Sequence, residues 1–202
     1  MQREASSILD IADVVEPSDM DLGGRTSPDG AVTILFSDIE GSTEMVERMG
    51  DEAWFELLRE HNRIVRELVN AHDGTEVKAQ GDGFMLAFTS SRAGFACAIE
   101  MQRALDGHAP ENSDERLRMR VGVHSGAMIQ DGQDYFGRNV ILAARIADRA
   151  RGGEILVSEE LRDYTARGSS ARFLPPQQLA LKGLSGTHTV YPVDWRGESA
   201  GD

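Results

Sequence analysis

The segment Ala31–Phe36 reads AVTILF, and the segment Ser37–Thr43 that follows it reads SDIEGST. An unbroken apolar run of this length is typical of a β-strand that is buried on both faces. The polar segment contains a glycine and precedes a stretch of helical spacing, so it predicts a turn that leads into a helix. The ordered part of the chain is therefore expected to begin with a buried strand that ends near Asp38.

Two helices and three strands are predicted after this first strand. Apolar side chains recur every three or four residues between Trp54 and Leu68, which predicts a helix with one buried stripe. The segment Thr75–Phe88 predicts two strands, because Asp-Gly between apolar runs is a strong hairpin signal. Ser91–Leu105 predicts a second helix, and the alternating segment Leu117–His124 predicts a further strand. The order β-α-β-β-α-β is that of the ferredoxin-like split βαβ unit.

The remainder of the chain predicts an extension of this core. It contains a polar loop at Gln130–Asp134, a helix at Arg138–Arg149, a short strand at Glu154–Val157, a helix capped by Ser158, and a hairpin made of Gln178–Leu181 and Thr189–Val193. The predicted fold class is therefore α+β, an α/β sandwich with a ferredoxin-like βαββαβ core extended by a further αβ unit and a C-terminal hairpin.

Residues 1–30 differ in composition from the rest of the chain. They hold seven acidic and two basic side chains, and so account for −5 of the formal net charge of −13. We expect an acidic, flexible N-terminal arm over residues 1–30, with a short helix at Ile8–Val15. One ordered domain is expected over residues 31–195, followed by a tail over residues 196–202.

Composition excludes several classes of protein. The excess of acidic residues argues against a nucleic-acid partner, because phosphate binding needs a basic face. No apolar run approaches the roughly 20 residues that cross a bilayer, and the N-terminus lacks the apolar core of a signal peptide. The single cysteine, Cys97, excludes an intramolecular disulfide. We therefore expect a cytoplasmic protein without a membrane span.

Two aspartates are candidates for a metal site. Asp38 follows a buried strand, and Asp82 lies at the tip of the predicted hairpin, which is a neighbour of that strand in a split βαβ sheet. Two carboxylates that converge repel each other, and a hard divalent cation relieves the repulsion. The predicted helix begins at Gly41, Ser42 and Thr43, and the backbone N–H groups there can bind a phosphate. A single aspartate at a strand end is more often a turn or capping residue, and it is the pair that favours a metal site.

Three further side chains carry a weaker signal. Lys78 is predicted to share a strand face with Glu76 and Gln80, and an isolated strand lysine is usually solvated. Asp134 is compatible with a simple loop acid. Arg145 lies in the alanine-rich segment ILAARIA, where an arginine must find a partner or reach solvent along its stem. The residues alone leave these alternatives open.

Six segments nevertheless occur in a characteristic order. They are FSDIEGST (Phe36–Thr43), KAQGDGF (Lys78–Phe84), GVHSG (Gly122–Gly126), DYFGRNVILAARI (Asp134–Ile146), GGEILVS (Gly152–Ser158) and LKGLSG (Leu181–Gly186). Together they resemble the catalytic domain of a class III adenylyl cyclase of the small bacterial type. The resemblance covers about residues 31–193, and it implies an adenylate cyclase that converts ATP to cyclic AMP.

The resemblance implies a role for each matching position. Asp38 and Asp82, with the Ile39 carbonyl, would hold two divalent cations per site, Mg²⁺ or Mn²⁺. Lys78 and Asp134 would read the adenine through a donor to ring N1 and an acceptor for the 6-amino group. These roles assign the metal and the base to different parts of the chain.

The remaining matches concern the phosphates and the assembly. Arg145 would stabilise charge on the phosphates as the bond to pyrophosphate breaks. Lys182 would contact the triphosphate, and Ala144 would lie near the base. The family works as head-to-tail dimers, so ATP would bind between two copies of the chain, with the metal aspartates from one copy and the adenine and transition-state residues from the other.

One departure from the family pattern keeps alternatives open. The family commonly places an asparagine four residues before the transition-state arginine, whereas this chain has Ile141 there and its nearest asparagine is Asn139. A catalytically weak or inactive cyclase-like nucleotide-binding module is therefore one alternative. A guanylyl cyclase is another, which Lys78 and Asp134 disfavour. A diguanylate cyclase or palm-type polymerase is disfavoured by GDGF at the hairpin, and a purely structural domain does not account for six ordered motifs.

Overall fold

The computed structural model describes Ile8 and residues 31–107, 116–166 and 172–197. The strands in these residues are β1 (Val32–Ile39), β2 (Thr75–Gln80), β3 (Gly83–Phe88), β4 (Met119–Gly126), β5 (Ile129–Asp131), β6 (Asp134–Phe136), β7 (Ile155–Ser158), β8 (Arg172–Phe173), β9 (Gln177–Leu179) and β10 (His188–Asp194). The helices are α1 (Ser42–Met49), α2 (Asp51–Ala71), α3 (Ser91–Asp106), α4 (Arg138–Arg149) and α5 (Glu159–Thr165).

An eight-stranded sheet forms the centre of the fold, in the order β2-β3-β1-β4-β7-β10-β8, and β9 pairs with β10. Strand β1 is antiparallel to both β3 and β4, and Leu35 lies opposite Leu86 on one side and Val123 on the other. Strands β4 and β7 are parallel, as expected for two strands joined through a helix. The ferredoxin-like core and its extension are therefore confirmed.

Side chains of β1 alternate between two apolar layers, and all eight of its residues are buried. Leu35 and Ile39 belong to a cluster with side chains of α1, α2, α3 and α5, which we call the first face. Ile34 and Phe36 belong to a cluster with α4 and the β5–β6 pair, which we call the second face. The sheet is thus covered on both faces, as the unbroken apolar run predicts.

Helix α4 packs unusually close to the sheet. A Cβ atom built on Gly122 of β4 would lie 2.2 Å from the backbone nitrogen of Ala147, so only glycine permits this approach. The remaining apolar side of α4, including Ile146, packs on Leu156, Leu181 and Val190 in a third cluster. The closeness of α4 to the sheet fixes where Arg145 projects.

The structure corrects the predicted connections in three places. The region after β1 contains two helices, because Gly50 at φ 83° and ψ 161° interrupts the helical path. The expected polar loop at Gln130–Asp134 is instead part of a two-stranded ribbon, β5–β6, with a turn at Gly132 of φ 60°. The short strand β8 carries no signal in the sequence.

Most of the N-terminal arm lies outside the described residues, and so does the helix expected at Ile8–Val15 beyond its first residue. Ile8 itself is helical and fully buried, and it belongs to the cluster on the second face. Among the helices of the described ranges, none combines the length and the apolar character needed to cross a membrane.

Candidate active site

Asp38 and Asp82 meet at the end of β1. The turn between β2 and β3 folds over this end, and the Ile39 N–H donates to Asp82 Oδ2 over 3.0 Å. Both aspartates are buried, with 3% and 7% of their surface exposed. The predicted convergence of the two carboxylates is therefore present in the fold.

The pKa of the Asp82 carboxyl is shifted by its surroundings. Burial, and then the negative charge of Asp38, raise the pKa of Asp82 to about 6. Hydrogen bonds from the Ile39 amide, the Asp82 amide and the Ser42 hydroxyl oppose this rise. A positive charge placed between the aspartates would lower the energy of both.

Arg120 supplies part of that positive charge in the structure. It lies directly opposite Asp38 on β4, and its Nε donates to Asp38 Oδ2 over 3.1 Å while a second guanidinium nitrogen contacts the same oxygen. The arginine side chain is 17% exposed and the aspartate side chain 4%. Sequence reasoning missed Arg120, although the alternation of Leu117–His124 places it on one strand face and antiparallel pairing with β1 could have aligned it with Asp38.

The donor set at this end of β1 fits a hard divalent cation. The carboxylate of Asp38 on β1 and that of Asp82 in the β2–β3 turn converge there, and Mg²⁺ and Mn²⁺ take oxygen ligands of this kind. No third side chain of the His, Cys, Asp or Glu type completes a cluster anywhere in the ranges that the structure describes. A cation held by Asp38 and Asp82 would therefore take its remaining ligands from backbone, water or phosphate oxygens.

The segment Gly41–Thr43 adjoins this carboxylate pair. Gly41 adopts a left-handed conformation with φ 73° at the start of α1, and Met45 N–H donates to its carbonyl over 3.0 Å. The Ser42 side chain is engaged with Asp82, whereas Thr43 is exposed. The predicted phosphate loop thus lies beside the predicted metal ligands.

Lys78 and Asp134 form a second polar pair, on the second face. Lys78 Nζ lies 2.5 Å from Asp134 Oδ2, and Asp134 Oδ1 accepts the Tyr135 N–H over 2.8 Å. The Lys78 nitrogen also lies 5.8 Å from the centre of the Phe136 ring. The structure therefore places a cationic donor and an anionic acceptor side by side.

A bulge in β2 explains why Lys78 points this way. The pairing of β2 with β3 shifts between Glu76 and Lys78, so that Glu76 lies opposite Leu86 and Lys78 opposite Met85. Leu86 belongs to the first face and Met85 to the second. The expectation that Lys78 and Glu76 share a face is wrong, because the bulged residue, Val77, reverses the alternation.

Arg145 and Lys182 line one cleft of about 270 Å³. The cleft is also bordered by Asp148, Arg149, Ala180 and Leu181, so four of its six residues are charged. Three of these charges are positive, which suits an anion with several charged oxygens. The two predicted phosphate-binding side chains are therefore brought together.

Two other predicted positions have different surroundings. Ala144 is fully buried among the apolar side chains of the second face. Ile141 is partly exposed one turn before Arg145, and the Asn139 amide donates to the Ala127 carbonyl over 2.7 Å. Asn139 therefore holds the end of the β4–β5 connection and does not take the place of the asparagine that the family pattern has at position 141.

Comparison with known proteins identifies the family to which the chain belongs. The sequence model of the adenylate and guanylate cyclase catalytic domain matches residues 25–194. The chain belongs to this cyclase family. The resemblance inferred from the six ordered motifs is thereby confirmed.

Individual relatives support the same assignment. An adenylate cyclase of Lachancea kluyveri is 32% identical over 157 residues, which cover 66% of this chain and 8% of that protein. A structure of Trypanosoma brucei adenylate cyclases in their monomeric state has a TM-score of 0.74 at 25% identity, over 84% of this chain and 90% of that one. The adenylyl cyclase CyaB of P. aeruginosa has a TM-score of 0.72 at 27% identity, over 81% and 93%. This cyclase domain spans less than half the length of the first curated relatives that it matches.

Proposed function

We propose that this cyclase domain converts ATP to 3′,5′-cyclic AMP and pyrophosphate in a head-to-tail homodimer. The observation that carries the choice of ATP is the pairing of Lys78 with Asp134, 2.5 Å apart. A lysine offers only hydrogen-bond donors and an ionised aspartate only acceptors. Adenine presents an acceptor at N1 beside a donor at the 6-amino group, whereas guanine presents N1–H beside O6. The pair is therefore complementary to adenine and mismatched to guanine.

The proposed site draws on two copies of the chain. Asp38 and Asp82 of one copy, with the Ile39 carbonyl, would hold two divalent cations. Lys78, Asp134, Arg145 and Lys182 of the other copy would bind the base and the phosphates. A head-to-tail arrangement then gives two equivalent sites per homodimer. Support for this division comes from the family pattern and from the separate groups into which these side chains fall.

In the proposed reaction the 3′-hydroxyl gives its proton to water, and its oxygen forms a bond to the α-phosphorus. The bond from the α-phosphorus to the bridging oxygen breaks, and pyrophosphate leaves and takes up a proton from the solvent. Bound divalent cations would make the 3′-hydroxyl more acidic and offset charge on the leaving group. Gly41, Ser42 and Thr43 would orient the phosphates through backbone N–H groups. Positioning and electrostatics supply most of the rate in a transfer of this kind.

Three basic side chains would act on the phosphate charge. Arg145 would stabilise the negative charge that develops as the pyrophosphate leaves, and Lys182, which shares its cleft, would hold the triphosphate. Arg120 is bound to Asp38 in the structure. If Asp38 held a cation, the Arg120 guanidinium would lose part of its counter-charge and could then bind phosphate oxygens.

A second candidate function is a cyclase-like module that binds ATP with little turnover. The observation in its favour is Ile141, an apolar side chain one turn before Arg145, together with the commitment of Asn139 to the Ala127 carbonyl. A site without an amide at that position holds the ribose less firmly. Tight ATP binding without turnover is the signature of this candidate.

An activity assay separates these candidates. ATP and GTP are each supplied with Mg²⁺ or Mn²⁺, and product is measured over a series of protein concentrations. We expect cyclic AMP from ATP, little product from GTP, and a specific activity that rises with protein concentration as dimers form. Product from GTP in preference to ATP would favour a guanylyl cyclase, and binding of ATP without product would favour the module.

Exchange of the base-reading pair tests the substrate more sharply. The double variant Lys78→Glu with Asp134→Cys reverses the order of donor and acceptor, so we expect the preference to move from ATP toward GTP. The single variant Lys182→Ala is the matched control, because it should weaken the binding of ATP and of GTP alike without changing contacts to the base. An ATP preference that the double variant leaves unchanged would show that Lys78 and Asp134 do not read the base.

A further inference from the structure

Ile8 is a buried residue far from the domain in sequence. It is 0% exposed and belongs to the cluster on the second face, together with Tyr135 of the β5–β6 ribbon and Met85 of β3. Phe136 packs against the same cluster. The N-terminal segment therefore contributes an apolar side chain to the layer that carries Lys78 and Asp134.

The β5–β6 ribbon depends on such packing for its position. Its two strands have three residues each and pair with each other rather than with the main sheet. A short two-stranded ribbon is marginally stable by itself and needs an apolar surface to rest on. Tyr135 and Phe136 provide this anchoring, since they point into or against the cluster that contains Ile8.

Asp134 is oriented by the same anchoring. It is the first residue of β6, its Oδ1 accepts the Tyr135 N–H, and its Oδ2 meets Lys78 Nζ. The Lys78 nitrogen in turn lies 5.8 Å from the Phe136 ring centre. Lys78 is held on β2 by pairing with β3, so a shift of Tyr135 and Phe136 would move Asp134 relative to Lys78 and disturb the pair that we propose to read adenine.

We propose that Ile8 is a positioning residue for the nucleotide base, because it fixes the β5–β6 ribbon that presents Asp134 to Lys78. The proposal rests on the proposed function for the identity of the ligand. Its structural part, that Ile8 immobilises the ribbon, concerns the chain alone. Ile8 is then a contributor to base recognition that lies outside the six motifs.

The test uses full-length variants. Ile8→Ala removes most of the side chain, and Ile8→Val retains most of it. Ile99→Ala is the matched control, because Ile99 is also a buried isoleucine but lies on α3 in the first face, away from the ribbon. All variants are compared with the wild type for thermal unfolding, for kcat and KM with ATP, and for the ratio of ATP to GTP use.

We expect Ile8→Ala to raise KM for ATP about three- to tenfold and to lower the ATP preference, with kcat within a factor of about two. Ile8→Val should restore most of the wild-type KM. Ile99→Ala should lower the unfolding temperature without changing KM. Equal effects of Ile8→Ala and Ile99→Ala, or an unchanged KM in Ile8→Ala at a lowered unfolding temperature, would overturn the proposal and leave Ile8 as an ordinary core residue.

Hydrogen exchange separates failure of this proposal from failure of the proposed function. Backbone amides of residues 129–136 should exchange faster in Ile8→Ala than in wild type and Ile99→Ala, whether or not the protein turns over ATP. Unchanged exchange in that segment would refute the positioning role directly. Faster exchange in a protein without cyclase activity would retain the role of Ile8 and refute the assigned reaction.

Discussion

Replacement of Asp82 by asparagine should stabilise the metal-free protein at neutral pH. The carboxyl has a pKa of about 6 in the fold, above its ordinary value of 3.8. The folded state therefore keeps this proton at pH values where the unfolded state has lost it, and the free energy of unfolding falls as pH rises from about 4 to 6. Two pKa units correspond to roughly 3 kcal/mol. Asparagine carries no charge, so the variant does not lose this part of its free energy of unfolding as the pH rises.

The net gain should be smaller than that limit. The charged carboxylate accepts hydrogen bonds from the Ile39 amide and the Ser42 hydroxyl, and a neutral amide oxygen accepts them less strongly. We therefore expect Asp82→Asn to be about 1–2 kcal/mol more stable than wild type at pH 7.5, and nearly equal to it at pH 4. Urea unfolding in the presence of EDTA, at half-unit steps between pH 4 and 8, measures the difference.

A matched variant and added metal sharpen this prediction. Glu47→Gln removes one charge from an exposed carboxylate of α1 and should show no comparable dependence on pH. Millimolar Mg²⁺ with a non-hydrolysable ATP analogue should stabilise the wild type and not Asp82→Asn, which would reverse their order at pH 7.5. A wild type more stable than Asp82→Asn at pH 7.5 in EDTA, or a difference that does not vary with pH, would refute the electrostatic reasoning.

Three further predictions follow from other parts of the structure. Arg145→Ala should lower kcat about 10²- to 10³-fold with a small change in KM. A mixture of the inactive variants Asp38→Ala and Arg145→Ala should regain activity, because a heterodimer of the two has one intact shared site. No recovery in proven heterodimers would exclude sites shared between two chains. Gly122→Ala should prevent stable folding, since its Cβ would lie 2.2 Å from the Ala147 nitrogen, and a circular-dichroism melt like that of wild type would contradict the close packing of α4. Burial raises the pKa of the Cys97 thiol to about 12, so Cys97 should resist iodoacetamide in the native protein at pH 8 and react in urea. Mass spectrometry of the alkylated protein measures this difference. Rapid alkylation of the native protein would mean that α3 opens readily.

The sequence predicted the central sheet well because its signals there are local and consistent. The apolar run before Asp38 can remove its side chains from water only inside the fold. The Asp-Gly pair at residues 82–83 favours a tight turn. Together these two features predict that Asp38 and Asp82 lie near each other. The helix at Arg138–Arg149 was likewise predicted with the bounds that the structure has.

The parts that escaped prediction depend on contacts between distant segments. The bulge at Val77 arises from the pairing of β2 with β3, and it determines on which face of the sheet Lys78 lies. The ribbon at residues 129–136 had an Asp-Gly signal of its own at residues 131–132, but its strands are too short for a periodic pattern. The partner of Asp38, Arg120, follows from strand register, which no single segment specifies. The burial of Ile8 has no local signal at all.

The ion pair between Arg120 and Asp38 has a consequence for how the protein responds to its ionic surroundings. If Asp38 binds a cation as we propose, uptake would be an exchange, in which the guanidinium leaves the carboxylate as the cation arrives. The affinity for the cation would then be lower than that of the bare carboxylates, by the free energy needed to open the ion pair. Without a divalent cation the ion pair keeps the Asp38 carboxylate neutralised, and sodium or potassium would have to displace a covalently tethered guanidinium. The ion pair would therefore favour a divalent over a monovalent cation before any nucleotide is bound.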